Sequence, residues 1–289
     1  MVNLNEQSVR IYILNLPTFG EVNSSKKYIP QLIKFPLWFL FKAPQRKLGS
    51  YTLWLDLKGI IIYFFQTLNP KRDLAPISIC VGTKNRSKIF IRNFVRSLNN
   101  CKHAHLIELS VFDCNSNDVP DLEALIRKEF GGKLIFKSEN LPFTRAIAFN
   151  KAVLQSTNDL IFICDADFTI PENIVGMVNK FTNSQQVWFP IVFYLYKNKP
   201  EFYSKKNGEW MIWGGKGILA CQKKDFLKIG MIDETFIGWG GEDEELWQRF
   251  HKNRFVVIRN RCKELLHHWH PSENPKYKQL ADLADSGLL

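Results

Sequence analysis

The sequence predicts an α/β fold, a mostly parallel central sheet with helices on both faces. Three observations point there. From residue 76 onward, short apolar runs alternate with segments of helical spacing. The apolar runs show little polar alternation, as strands covered on both sides require. Residues with chemistry to offer stand just past those runs, where sheets of this class collect ligands.

Taken in order, "APISICVGT" (75–83) is an apolar, β-branched strand, and "KIFIRNFVRSL" (88–98) places Ile91, Phe94, Val95 and Leu98 at helical spacing. "LIELSVFD" (106–113) is a second strand. "PDLEALIRKEFGG" (120–132) is a helix, with proline in its first turn and glycine past its end. "KLIFK" (133–137) is a short strand, "FTRAIAFNKAVLQS" (143–156) a helix, and "DLIFIC" (159–164) a fourth strand. Strand ends therefore present Thr83, Asn85 and Arg86, then Asp113, then Asp165 and Asp167.

Residues 1–75 differ from the rest. They are rich in aromatics and lysine, and "SYTLWLDLKGIIIYFFQTL" (50–68) reads as a helix apolar nearly all round. Such a helix packs against the main domain, or its aromatic and lysine surface lies on a membrane interface, giving peripheral contact through 30–68. The expected organisation is an extension over 1–75 and one domain over 76–289, divided at about 170 and 271, with 272–289 as a tail.

The 289 residues carry a net charge of +11, which attracts nucleic acid, anionic lipid or a phosphate-bearing substrate without choosing among them. The basic residues are dispersed and no nucleic-acid motif is present, so nucleic acid is not an expected partner. Six cysteines are scattered with no CxxC pair, which argues against a thiolate metal site and for reduced thiols in a cytoplasmic protein. The first residues lack the basic start and apolar run of a signal peptide. The most apolar segments, 35–41 and 59–68, are shorter than the roughly 20 residues that span a bilayer.

Three motifs carry chemistry. In "CDADF", Asp165 and Asp167 point the same way from an extended chain. Paired carboxylates repel unless a cation joins them, and hard divalent ions take such oxygens together with substrate phosphates. A bare D-x-D is commonly a polar turn; its place at the end of the fourth strand favours the ligand role. "LLHHWHP" supplies His267, His268 and His270, either as a basic loop or as nitrogen ligands. Asp167 with one such histidine suits Mn²⁺ better than Mg²⁺. "GWGGEDEELWQRF" (238–250) opens a helix whose first turn is acidic, as the helix dipole favours. Gly238, Gly240 and Gly241 around Trp239 add a bendable loop and a flat apolar face for a sugar ring. Glu242 and Asp243 beyond it are placed to take a proton from a hydroxyl.

With these motifs the chain resembles nucleotide-sugar glycosyltransferases of the GT-A fold. It is similar to the family 2 group and, in its last third, to the galactosyltransferase and chondroitin-polymerase type with "GWGGED". The likeness covers about 76–271 and implies a catalytic domain over 76–289, with 76–170 as its nucleotide-sugar-binding half and 171–271 as its acceptor-binding half. "VGTKNRS" resembles the first-strand loop, and "VFDCNSND" the "DDGSxD" segment, with Cys114 and Asn115 replacing its second Asp and Gly. "WGGKGILACQKKDFLKIGMIDETFIGWGGED" resembles the acceptor-side signature, here followed by a further acid, Glu244. Residues 190–212 match no part of the pattern and leave the acceptor open.

The resemblance implies roles. Asp113 binds uracil and Thr83 lines the nucleotide pocket with Asn85, while Arg86 and Arg145 lie near ribose or diphosphate. Asp165 and Asp167 hold ribose and metal, with His270, or else His267, as the last ligand to Mn²⁺ (or Mg²⁺). Trp213, Gly214 and Gly215 line the donor sugar. Asp243 is the catalytic base, and Glu242 hydrogen-bonds the acceptor beside Trp239. The implied reaction is an inverting transfer of a hexose or N-acetylhexosamine from a UDP-sugar to a hydroxyl of a glycan or lipid-linked glycan, as in polysaccharide biosynthesis. A retaining transferase, or a non-catalytic nucleotide-sugar-binding protein, are the alternatives on the same fold. The expected location is cytoplasmic, with peripheral contact to the inner face of the membrane.

Overall fold

The computed structural model describes residues 73–271 apart from 202, 205, 212–214 and 237–239, together with 61, 64 and 65. The extension over 1–75 and the tail over 272–289 thus fall almost wholly outside the described residues. Of the expected helix at 50–68, Ile61, Phe64 and Phe65 are described, and they are helical and exposed.

A seven-stranded sheet forms the centre. Its strands are β1 (Ile77–Thr83), β2 (Ile107–Asp113), β3 (Lys133–Ser138), β4 (Leu160–Ile163), β6 (Gln186–Trp188), β9 (Leu219–Gln222) and β10 (Val256–Ile258), in the order β10-β6-β9-β4-β1-β2-β3. β1 pairs in parallel with β2 and β4, and β2 with β3. The expected parallel half is therefore present. β9 departs from it by running antiparallel to both β4 and β6.

Alternation along β1 divides the core into two layers. Ile77, Ile79 and Val81 face one side together with Leu160 and Phe162 of β4; Cys80, Ile161 and Ile163 face the other. Three helices cover the first side. They are α1, formed by the consecutive segments Ser87–Ile89, Phe90–Val95 (π-wound) and Arg96–Leu98, then α2 (Leu122–Glu129) and α4 (Ile174–Phe181). On the second side lie α3 (Arg145–Gln155), α5 (Lys223–Lys228) and α6 (Glu242–Lys252). Pro120 stands outside α2 rather than in its first turn, because Asp121 is the cap and accepts the Ala124 N–H at 2.9 Å.

A second, four-stranded sheet was not expected from the sequence. It comprises β5 (Phe168–Thr169), β11 (Arg261–His267), β7 (Ile191–Leu195) and β8 (Gly208–Trp210), in that order. Register places His267 beside Phe168 on one flank and Tyr194 on the other. Among the described residues no helix is long and apolar enough to cross a membrane. All six cysteines are free and buried.

α3 lies close on β1. A Cβ at Gly82 would come within 2.5 Å of Ala148 Cβ and 3.0 Å of its carbonyl carbon. Gly82→Ala is expected to push α3 outward and to cost about 1–3 kcal/mol of unfolding free energy, measured by urea denaturation; an unchanged midpoint would contradict the close packing.

Candidate active site

The ends of three parallel strands form one wall. Thr83, Asp113 and Ser138 lie in register at the tips of β1, β2 and β3. Asp113 is buried and accepts the Ser116 N–H at 2.9 Å, the Ser116 hydroxyl at 2.5 Å and the Ser138 hydroxyl at 2.8 Å. Asn85, at φ 52°, donates its N–H to Ser116 Oγ (2.8 Å) and accepts the Asn117 N–H at 2.9 Å. The loops after β1 and β2 are thus clasped together. Thr83 Oγ1 is buried without a hydrogen-bond partner.

Arg145 opens α3, whose cap Thr144 accepts the Ile147 N–H. Its Nε and Nη2 donate to the two oxygens of Asp165 at 3.0 and 2.9 Å, and Nη1 donates to Glu242 Oε1 at 3.1 Å. The fork therefore joins the first acid of "DAD" to the first acid of α6. Gly217 makes room for it, since a Cβ there would lie 2.2 Å from Nη2. Burial opposes the charge on Arg145, but Asp165, Glu242 and Asp243 overcome it and raise its pKa. Burial also raises the Asp165 pKa against the pull of Arg145. The donors of Arg145, which the resemblance sets near ribose or diphosphate, go to carboxylates of the chain itself.

Asp167 has partners different from those of Asp165. His270 Nε2 is 2.8 Å from Oδ2 and His267 Nε2 is 3.7 Å from Oδ1. Ligand atoms of Asp167, His267 and His270 all lie within 4.8 Å of one another. Asp167 Oδ1 and His267 Nδ1 are buried without hydrogen-bond partners. His270 also reaches Pro271 O through Nδ1 at 3.0 Å, leaving Nε2 toward Asp167; one carboxylate and two imidazoles so grouped are a donor set that fits a borderline divalent cation. Asp165, expected to share the metal, stands outside this triad because both its oxygens are engaged by Arg145. Where the sequence reading set His270 ahead of His267, the structure brings both to Asp167. His268 points elsewhere, with Nε2 2.6 Å from Thr169 Oγ1.

Tyr194 stacks on His267 with centroids 4.0 Å apart, and Phe168 meets the same ring edge-on at 5.2 Å. Burial lowers the His267 pKa to about 4, so the ring is neutral at pH 7. Burial would raise Asp167, yet His267 and His270 bring it down to about 2. Arg86 donates from Nη1 and Nη2 to Pro271 O at 3.3 Å, close enough to add positive potential at Asp167.

α6 begins beyond Gly240 (φ 93°) and Gly241 (φ 102°), a left-handed path that glycine adopts without strain. No side chain caps it; Glu242, Asp243, Glu244 and Glu245 meet the positive end of the helix instead. Asp243 accepts the Glu244 N–H at 2.8 Å. Glu242 is buried, and its Oε2 has no hydrogen-bond partner. Trp213, Gly214 and Trp239 lie outside the described residues, while Gly215 is described, with φ 64°.

Two contributors escaped the sequence reading. Tyr194 belongs to a stretch without a readable pattern, and its alternation with Phe193 and Leu195 in β7 was the available signal. Lys216 is buried and paired with Glu244; a lysine inside "WGGKG" was visible but had no evident partner. A separate cavity of about 500 Å³ is lined by Asn150, Asp233, Glu234, Arg249 and, from α6, Glu245 among others, and includes none of Asp113, Arg145, Asp165, Asp167, Glu242 and Asp243.

The fold is that of the GT-A glycosyltransferases. Residues 77–281 match the model of the chondroitin N-acetylgalactosaminyltransferase family, and the chain belongs to that family. Chondroitin sulfate synthase 3 of Homo sapiens is 31% identical over 142 residues, covering 45% of this chain and 16% of that protein. Chondroitin sulfate N-acetylgalactosaminyltransferase 1 of Mus musculus is 27% identical over 132 residues, covering 40% and 24%. The chain thus aligns with about a sixth to a quarter of these relatives' length. Among solved structures, GalNAc-T7 with UDP, GalNAc and Mn²⁺ superposes with a TM-score of 0.54 at 13% identity, covering 69% of this chain and 45% of that one. The mannosyltransferase PcManGT of Pyrobaculum calidifontis, in complex with GDP-Man and Mn²⁺, gives 0.50 at 14%, covering 81% and 72%.

A buried neutral His267 has a sign that can be checked. Its folded pKa, about 4, lies below the unfolded value of 6.5, so the unfolded chain binds the extra proton between these limits. Stability from this residue is complete above pH 6.5 and falls as the pH drops toward 4. In EDTA, His267→Phe is expected to remove a loss on the order of 3 kcal/mol across that window, followed by urea unfolding at each pH; identical pH profiles would contradict it.

Proposed function

We propose that this chain is a metal-dependent, inverting glycosyltransferase that moves an N-acetylhexosamine or hexose from a UDP-sugar to a hydroxyl of a glycan or lipid-linked glycan. The names of its relatives favour N-acetylgalactosamine as the sugar. One observation carries the reading: the Asp167–His267–His270 triad and the acids of α6 belong to one connected cluster, joined through the neighbouring Asp165 and Arg145. Asp167, His267 and His270 would hold Mn²⁺ (or Mg²⁺), which when bound would supply positive charge to a departing diphosphate.

The remaining steps fall to the chain's own groups. Asp113, Thr83 and Asn85 form the wall against which the nucleotide rests, and Asp165 serves the ribose side. Arg86 adds charge beside the phosphates. Glu242 turns its unpartnered Oε2 to the acceptor and is held by Arg145. Asp243 takes the proton from the acceptor hydroxyl, whose oxygen attacks the anomeric carbon. The bond from that carbon to the diphosphate oxygen breaks, and its electron pair leaves with UDP. A single displacement turns an α-linked donor into a β-linked product. A cytoplasmic location with membrane contact through 30–68 belongs to this proposal and rests on the sequence alone.

Two measurements bear on it. Asp243→Asn is expected to lower kcat by about 10²–10⁴-fold while UDP-sugar affinity holds; transfer near the wild-type rate would remove Asp243 as the base. Asp167→Ala is expected to abolish Mn²⁺-dependent UDP binding in a calorimeter, and unchanged heats would remove Asp167 from the metal site.

A further inference from the structure

The two imidazoles that meet Asp167 are held by different means. A ligating histidine is ordinarily oriented by a hydrogen bond from its second ring nitrogen. His270 has such a contact, with Nδ1 3.0 Å from Pro271 O and Nε2 toward Asp167. His267 has none among the described residues: Nε2 lies on the Asp167 side, and Nδ1 is buried without a hydrogen-bond partner. Aromatic contacts hold its ring instead. Tyr194 lies flat against it, with centroids 4.0 Å apart and planes 11° from parallel. Phe168 meets His267 edge-on at 5.2 Å and Tyr194 edge-on at 6.3 Å, which closes a group of three rings.

The second sheet builds this group. His267 is the cross-strand partner of Tyr194 in β7 and of Phe168 in β5, and side chains at paired positions share a face. The register of β11 against β7 shifts between Arg261 and Leu266, with Glu264 at φ 70°. A bulge of this kind re-aims the side chains beyond it, and here it sets His267 opposite Tyr194. The Glu264 N–H donates to the Tyr203 hydroxyl, which pins the bulge. Asp167 immediately precedes Phe168, so the carboxylate and one of the bracing rings leave the same strand end.

We propose that Tyr194 is a positioning residue for the cation site: its ring keeps the His267 imidazole turned toward Asp167, and so sets a preference for a first-row divalent ion such as Mn²⁺ over Mg²⁺. Mg²⁺ demands near-ideal octahedral oxygen geometry and gives up its water reluctantly, so an imidazole adds little to its binding. First-row divalent ions bind mixed nitrogen and oxygen sites. Without the flat ring, His267 is free to turn about its side-chain bonds, since no hydrogen bond holds Nδ1. The site then retains Asp167 and His270, loses one nitrogen, and with it loses what separates the two ions. The inference rests on the metal reading of the triad and is independent of sugar transfer.

The test uses the full chain, stripped of metal and titrated in a calorimeter with MnCl₂ or MgCl₂ alone. The wild type is expected to bind Mn²⁺ more tightly than Mg²⁺. Tyr194→Leu is expected to weaken Mn²⁺ by about 10–100-fold, the usual effect of removing a group that orients a ligand, and to leave Mg²⁺ unchanged. Tyr194→Phe, which keeps the ring, keeps the Mn²⁺ affinity. In a His267→Ala background Tyr194→Leu adds no further loss, because it acts through that imidazole. Pulsed electron paramagnetic resonance of bound Mn²⁺ sees both imidazoles in the wild type and in Tyr194→Phe, and one fewer in Tyr194→Leu. An unchanged Mn²⁺ affinity in Tyr194→Leu, an equal loss for both ions, or a further loss in the His267→Ala background would each overturn the proposal. Should Tyr194→Leu fail to fold, Tyr194→Met, a flexible filler without a flat face, is judged by the same outcomes. A wild type that binds no Mn²⁺ would remove the metal site and this proposal together; one that binds Mn²⁺ yet transfers no sugar would refute the transferase reading alone.

Discussion

The guanidinium of Arg145 is the constraint on which the site depends. Two carboxylates from distant parts of the chain, Asp165 after β4 and Glu242 at the start of α6, converge on it. Without the cation they would repel across a poorly hydrated gap. Removing one member of a buried ion pair costs about 3–5 kcal/mol in general, and the partial exposure of Arg145 and Asp165 reduces that here. The importance of the fork is therefore mainly geometric. It brings the strand that ends in "DAD" and the helix that begins "EDEE" into one frame, and Gly217 keeps the space open for it.

The second sheet solves a different problem. The proposed metal site at Asp167, just past β4, would draw its nitrogen ligands from far along the chain. β11 provides them by lying between β5 and β7, so that His267 falls in line with Phe168 and Tyr194. The backbone then locks the arrangement, with the His268 N–H donating to Asp167 O at 2.9 Å. His268 spends its imidazole on Thr169, holding the sheet edge while its neighbours face the triad. Burial keeps His267 neutral, the state in which an imidazole has a lone pair to give.

Much of the fold was legible in the sequence because its signals are local. Each strand from β1 to β4 announces itself by a run of apolar residues, and each helix from α1 to α3 by periodicity. The caps at Asp121 and Thr144 refine the boundaries by a residue or two. The antiparallel β9 and the second sheet were illegible because β5, β7, β8 and β9, of two to five residues, carry little periodicity, and the seven-residue β11, like them, depends on partners remote in sequence. At the site, the residue types were readable and the pairings were not. "DAD" reads as two equivalent ligands, yet the strand turns after Cys164 and sends the two acids to different partners. Lys216 shows the same limit: its burial follows from where Glu244 and Trp247 lie, which no spacing within "WGGKG" reveals.

The buried cysteines have a practical corollary. Burial pushes the thiols up, Cys80 and Cys101 to about 12 and Cys114 to about 11, with Cys164, Cys221 and Cys262 shifted the same way. Thiolate is the reactive form toward alkylating probes, so the native molecule is chemically quiet toward maleimides. A single cysteine introduced on the surface would then be the one labelled position. Fluorophores or spin labels could be attached there without first stripping the natural sulfurs from the core.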